Sequence, residues 1–468
     1  MQPPSVELDR LLDAWLSDEA REGVLRWRGS PEARSAASVA DEHDRLAGPE
    51  VAALMDEIRG RGSVSAADVP LIEAHLGRAR SLRILAPLRD SLADAGRLEL
   101  GDGTTVLSAL DDLGLRDDAA DRRDLGRDII GVLAPLVTRL VDGVAAAAEL
   151  GTSDATADAA LADRARGVLD ATSGAWDEAH AYLLRPADGR ADWTDVAWAF
   201  RAHGEGRLLG DRDHLRRFVR LLDGLGLEKD LAARVRVEDT AGALACASRV
   251  VAPAPPADVR LGRTPLRHGL AGQLSDVAGL GRAAALALMS PALPSWARHP
   301  VDGSVGWALG ALFEQLLADR VFVRRLDGPE RRKREALRRR IAAMALFEVR
   351  ALAAATLGRL GAPPGREAVE RAAHIIRSAL HVRTGEVVAA LWTFGPSSPA
   401  PRLRGWMAGL SLASTLRDSF DEDWFRNPRS AEPIRSACSR GGLLSAEAWC
   451  AELGAAGDGA GRLLDLWR

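Results

Sequence analysis

Asp276-Val-Ala-Gly-Leu-Gly-Arg-Ala-Ala-Ala-Leu-Ala-Leu-Met289 is the stretch on which the reading of this chain turns. Rich in Ala and Leu, it reads as a helix. Three short segments of a different character precede it. Arg234-Val-Arg-Val-Glu238 alternates, Ser248-Arg-Val-Val251 is β-branched, and Asp258-Val-Arg-Leu261 alternates again. With Pro-rich turns between them, they predict a small antiparallel sheet placed just before the helix.

Elsewhere the period is helical. Val305, Leu309, Leu312 and Leu316 recur at spacings of four, three and four, with Glu314, Gln315, Asp319 and Arg320 among them. Similar patterns run through 6–25, 50–59, 67–98, 124–150, 155–184, 214–225, 336–360, 366–382 and 403–420. Pro and Gly clusters separate them. The expectation is a mainly α-helical chain with one small sheet.

At 468 residues the chain is long enough for two or three subdomains. Its formal net charge is −4, which gives no support for nucleic-acid binding. Lys229 and Lys333 are the only lysines, so arginine carries nearly all the positive charge. Cys246, Cys438 and Cys450 have no ligand spacing, and an odd number argues against a disulfide framework. A reducing, cytoplasmic setting is expected. The first ten residues carry early acids and no apolar stretch, so no signal peptide is expected. The best candidate for a membrane span, 129–150, is interrupted by Arg139 and Asp142, and none is predicted.

Several segments from about 190 to 450 resemble the thimet oligopeptidase and oligoendopeptidase family of zinc metallopeptidases. They are Ala241-Gly-Ala-Leu-Ala-Cys246, Pro255-Pro-Ala-Asp-Val259, Gly269, the 276–289 helix and Leu293-Pro294. They continue with Asp302-Gly-Ser-Val-Gly-Trp-Ala-Leu-Gly-Ala-Leu-Phe-Glu314, Leu403-Arg-Gly-Trp406 and Phe420-Asp-Glu-Asp-Trp-Phe-Arg-Asn-Pro-Arg429. The resemblance implies a two-lobed, oligopeptidase-like (zincin-type) helical fold with the sheet at a central cleft. Residues 1–190 would form an N-terminal helical lobe. Residues 191–468 would form a peptidase-like lobe, with the sheet at about 234–262, the metal-site region at 276–315 and C-terminal helices at 336–468.

In that family an HExxH helix supplies two zinc ligands and a general base, since i and i+4 share a helical face. A glutamate on the next helix is the third ligand. The same alignment places Ala278 and Arg282 at the histidine positions, Gly279 at the base and Trp307 at the third ligand. The family's tyrosine-rich loop corresponds to Gly395-Pro-Ser-Ser-Pro-Ala-Pro-Arg402, which has no tyrosine. Without zinc to lower the pKa of water to ~7, amide hydrolysis lacks a nucleophile.

The resemblance therefore implies a pseudo-peptidase with no metal and no cofactor, binding a peptide or protein segment in the old cleft. Arg282, Trp307, Trp296, Arg402 and Trp406 are the candidate contacts. Trp307 either fills the volume of the absent metal site or anchors a ligand. One setting for such a binder is precursor-peptide handling in peptide natural-product biosynthesis. Two alternatives stay open. One is an enzyme with a new or rebuilt site in the same cleft. The other is a structural partner of an active paralogue.

Other groups in the chain have the residue types for chemistry. His374 and His381, seven apart with Glu370 nearby, read as ordinary histidines more readily than as ligands. His268, Asp276, His299 and Asp302 flank the same region and would bind a cation only if they converged. Cys246, among small apolar neighbours, reads as a core thiol. The nine basic residues within 324–340 read as a solvated helix face carrying Glu330–Arg334 and Glu335–Arg339 pairs.

Overall fold

Helix formation follows the sequence periodicity in the computed structural model, which describes residues 3–149, 155–184, 191–201, 214–239, 248–263, 269–325, 330–360, 363–395, 398–455 and 459–468. The 241–246 segment with Cys246, His268 and residues 396–397 lie outside the described residues. The long helices include Pro4–Trp27, Val69–Asp94, Ala119–Ala148, Arg331–Leu360 and Pro399–Phe420. Local chemistry fixes several ends. Asp118 accepts from the Ala120 and Asp121 N–H groups at 2.7 and 3.0 Å, starting the 119–148 helix. His381, in the left-handed region at φ 56°, stops the 366–380 helix.

The sheet has three strands in the order Val235–Asp239, Asp258–Arg263, Arg249–Ala254. The antiparallel expectation holds for only one of its two pairings. Arg249–Ala254 runs antiparallel to Asp258–Arg263, but Val235–Asp239 runs parallel to it. Alternation in sequence reveals a strand but not its direction. The parallel pair is possible here because the 249–254 strand lies within the crossover. That strand is left at the sheet edge, and Pro4–Trp27 packs beside it. A Cβ at Gly23 would lie 3.9 Å from Val251 Cγ1. A separate two-residue parallel pairing joins Ala191–Asp192 to Val382–Arg383.

The main core is built on three helices that approach backbone to backbone. Leu270–Ala287, Ser304–Leu316 and Pro399–Phe420 cross at glycines. A Cβ at Gly281 would lie 2.4 Å from the Leu309 carbonyl oxygen, and one at Gly310 2.8 Å from that of Ala278. At Gly405 it would meet Trp307 Cβ at 2.2 Å, and at Gly409 the Ala308 oxygen at 2.5 Å. The first of these helices is apolar nearly all round, as a helix enclosed on every side must be.

A second core belongs to the N-terminal helices. Leu8, Leu12, Trp15, Ile72 and Leu76 pack there, and Trp296 and Ala297 join them from far along the chain. Polar ties hold this junction. Ser295 N donates to Asp9 Oδ1 at 2.6 Å, Arg298 donates to Asp13 at 2.8 Å, and His75 Nε2 lies 3.0 Å from the Trp296 carbonyl oxygen.

Among the described residues, two helices, Ala119–Ala148 and Arg331–Leu360, are long and apolar enough to cross a membrane by length and composition. The apolar window of the second is 83% buried within the protein, the position of a core helix. From it Arg350 donates to the Ala379 carbonyl at 2.8 and 3.1 Å, to the Leu169 carbonyl at 2.7 Å and to Thr172 Oγ1 at 2.7 Å. Arg350→Leu strips three elements of this shared donor. A net loss of about 3 kcal/mol is expected, since bonds to charged donors contribute about 1.5–3 kcal/mol each and are only partly additive. It would be read as a lower urea midpoint at unchanged slope.

Candidate functional site

Four helices send polar or aromatic side chains to one place. Leu270–Ala287 brings Arg282, Ser304–Leu316 brings Trp307 and Glu314, Arg331–Leu360 brings Glu348, and Pro399–Phe420 brings Arg402 and Trp406. The Trp307 ring is the hub. The Arg282 guanidinium carbon lies 4.2 Å from its centre and that of Arg402 5.2 Å. Arg402 donates to Glu348 Oε1 at 2.6 Å, and Trp406 Nε1 reaches the same oxygen at 3.3 Å. Arg282 donates from Nη2 to the Ser248 carbonyl at the start of the edge strand, while its Nε is buried without a partner.

The electrostatics follow from burial. Glu314 is only 6% exposed, and loss of hydration holds its carboxyl well above the usual range. The Glu348 charge pushes the same way, against Arg402 and Arg282. Burial, and then the like charge of Arg402, lowers the affinity of Arg282 for its proton. A guanidinium remains charged at neutral pH all the same.

Beside this cluster lies a cavity of about 400 Å³. The edge strand forms one wall through Val250, Val251 and Ala252, and Pro4–Trp27 forms another through Leu16, Ala20 and Gly23. Arg282, Trp307 and Trp296 all line it. Arg402 and Trp406 are not among its walls; they stand behind Trp307, and Trp406 is 3% exposed. Trp296 also belongs to the N-terminal core, with its Nε1 buried and unpartnered.

The donor set at this place is unsuited to zinc. Ala278 and Gly279 carry no ligand atom, and Arg282 and Trp307 offer only N–H donors. Space is also short at Gly279, where a Cβ would lie 2.7 Å from Leu261 Cδ1 and 2.9 Å from Ser248 Cβ.

Among the described residues, the flanking Asp276, His299 and Asp302 do not converge. Asp276 is buried between Ser248 Oγ, which donates to it, and His214 Nε2 at 3.0 Å. With the carboxylate in the middle, the group brackets the strand start to two helices and gives the serine no histidine base. Asp302 accepts from Arg404 at 2.9 Å and from Ser304. Half-buried His299 is pushed down to about 3, by loss of hydration first and then by Arg298, and is neutral at physiological pH. His374 is exposed, Glu370 pairs with Arg366 at 3.0 Å, and His381 stands at the helix end near Asp177. Burial pushes Cys438 up to about 12 and Cys450 to about 11, so neither is a ready thiolate.

Among the described residues, the three side chains placed closely enough to share a metal are Asp18, Glu42 and His43, at the surface. Arg34 already pairs with Glu42 and lies 3.9 Å from Asp18. Part of the basic run at 324–340 is likewise partnered within the protein, while Arg331, Arg332 and Lys333 are exposed. Arg325 pairs with Asp423 at 3.0 Å, Arg339 stacks on Tyr182 and Trp467, and Glu335 pairs with Arg338, not with Arg339.

Glu314 and Glu348 were not singled out by sequence reasoning. Their signal was present: Leu312-Phe-Glu314 and Leu346-Phe-Glu348 each set one carboxylate in an otherwise apolar helical run.

No family model matches the chain, and no curated protein does. Solved structures do match. A Pyrococcus furiosus carboxypeptidase aligns at TM-score 0.60 and 13% identity, over 99% of this chain and 98% of that one. PZ peptidase A aligns at TM-score 0.61 and 12% identity, over 97% and 84%. A Bacillus anthracis protein assigned as an oligoendopeptidase F aligns at TM-score 0.60 and 13% identity, over 88% and 78%. This chain has the helical, cleft-bearing fold of these peptidases.

Proposed function

We propose that this chain is a catalytically inactive relative of these peptidases that holds a peptide in the cavity between the edge strand and the N-terminal helix. The observation that carries the reading is the residue set at the metal-site positions. Ala278, Gly279, Arg282 and Trp307 supply no zinc ligand and no general base. The place is instead filled by a stacked Arg–Trp–Arg group whose charges are turned inward. The other support is the edge strand. Among the described residues, Arg249–Ala254 pairs on one side only, and its middle lines the cavity. An extended peptide can add to such an edge through main-chain hydrogen bonds, without catalytic residues. In a biosynthetic setting the ligand would be a precursor peptide presented to tailoring enzymes.

The test is metal analysis and a broad peptide-cleavage assay on one purified sample. The expected result is no stoichiometric zinc and no cleavage, with peptide binding detected by calorimetry. About one zinc per chain, or cleavage abolished by a chelator, would overturn the reading.

A further inference from the structure

The charges around the cavity do not balance. Five side chains lining it carry charge at neutral pH: Glu19, Arg26, Arg78, Arg282 and Asp302. Four of them are matched. Glu19 pairs with Arg78 at 2.5 Å and Arg89 at 3.1 Å, Arg26 with Asp90 at 2.6 Å, and Asp302 with Arg404 at 2.9 Å. Arg282 has no carboxylate within ion-pair distance among the described residues. The nearby Glu348 is engaged by Arg402 and Trp406. Of its five N–H groups, one donates to the Ser248 carbonyl, and the guanidinium face rests on Trp307. A fixed cation thus stands at the wall of a half-open, mostly apolar cleft. A buried charge left in that state is costly unless an opposite charge arrives.

We propose that the cavity is a carboxylate receptor, with Arg282 taking the carboxylate and the apolar wall taking the body attached to it. Trp307 holds the guanidinium plane by stacking, and Ser248 fixes one of its edges, so the remaining edge is presented in a set orientation. That is the arrangement from which arginine binds a carboxylate through two parallel hydrogen bonds. Leu286, Met289, Val305 and Leu444 supply apolar wall. The volume, about 400 Å³, falls in the ordinary range for small-ligand sites and suits one or two residues of a peptide. This inference rests on the peptide-binding reading for the identity of its ligand, though not for the chemistry of Arg282. The carboxylate can come from a peptide's C-terminus or from an acidic side chain.

The experiment is calorimetric titration of the full chain with short apolar peptides made as free acids and as C-terminal amides. Amidated peptides ending in glutamate and N-acetyl-leucine with its methyl ester complete the set. Free acids are expected to bind about 10- to 100-fold more tightly than amides, the usual effect of one charge-assisted pair. Recovery of affinity by an amidated peptide ending in glutamate assigns the carboxylate to a side chain, and no recovery assigns it to the C-terminus. The contrast should vanish in Arg282→Gln. It is measurable in the unaltered protein, so a poorly folded variant does not remove the test. Equal binding of acids and amides overturns the carboxylate inference and leaves the peptide reading standing. Binding of N-acetyl-leucine over its ester without any peptide binding does the reverse. Binding of neither class overturns both.

Discussion

Gly405→Val should prevent stable folding, and Gly405→Ala should cost about 3 kcal/mol or more, at the upper end for overpacking. A Cβ there would stand 2.2 Å from Trp307 Cβ, 2.8 Å from the Trp307 carbonyl carbon and 2.9 Å from Ala308 N. Backbone atoms on a buried helix cannot step aside as a flexible side-chain end does. Relief requires the 399–420 and 304–316 helices to move apart, which opens the main core and shifts Trp307 with its two arginines. Gly131→Ala is the matched control. It lies in the 119–148 helix with nothing within 4 Å of a Cβ, so alanine should stabilise by about 0.5–1 kcal/mol through helix propensity. Thermal and urea unfolding of the pair would check both. Equal effects at the two positions would mean that the helices are not packed as closely as described.

Removing a carboxyl whose ionisation is opposed by burial should strengthen the protein at neutral pH. Glu314 is held above the ordinary glutamate range by burial and by Glu348. Between the ordinary value near 4.5 and the raised one, the folded chain binds more protons than the unfolded chain. Stability from this group is therefore present at low pH and is lost as pH rises, at up to about 1.4 kcal/mol per pH unit. Glu314→Gln keeps the shape and abolishes the titration. The variant and the parent should have similar stability near pH 4.5, and the variant should gain progressively toward pH 7.5. The readout is the difference between their unfolding free energies, in which the titration of other groups cancels. A variant less stable than the parent at pH 7.5 would show that Glu314 is ionised and tied to Arg282 or Arg402 in the folded state.

How much of this was legible beforehand differs by residue. The helices at 69–94, 119–148 and 399–420 were readable because their apolar periodicity extends over several turns. The sheet was found, but its mixed direction was not, since alternation in Val235–Asp239 is the same whichever way a neighbour runs. Arg282 and Trp307 could be placed at the cavity by alignment of the flanking segments. Trp406 and Arg402 were adjacent in that alignment, yet they face the other side of Trp307, a difference of helix rotation that spacing alone does not convey. Glu314 and Glu348 lie on helices 304–316 and 331–360, and nothing in the spacing of two helices well separated in sequence shows that their carboxyls come near each other.

The tie between Ser295 and Asp9 spans 286 residues. During synthesis at about 5–20 residues per second, the first helix waits roughly 15–60 s before its partner leaves the ribosome. Throughout that interval Leu8, Leu12 and Trp15 can bury themselves only against nearby helices such as 69–94, while the face bearing Leu16, Ala20 and Gly23 has no edge strand to meet. The cavity therefore comes into being late, as a seam closed between an older stretch of the nascent chain and a much younger one. Chaperone engagement of the emerging protein should fall as the 290–299 segment becomes available.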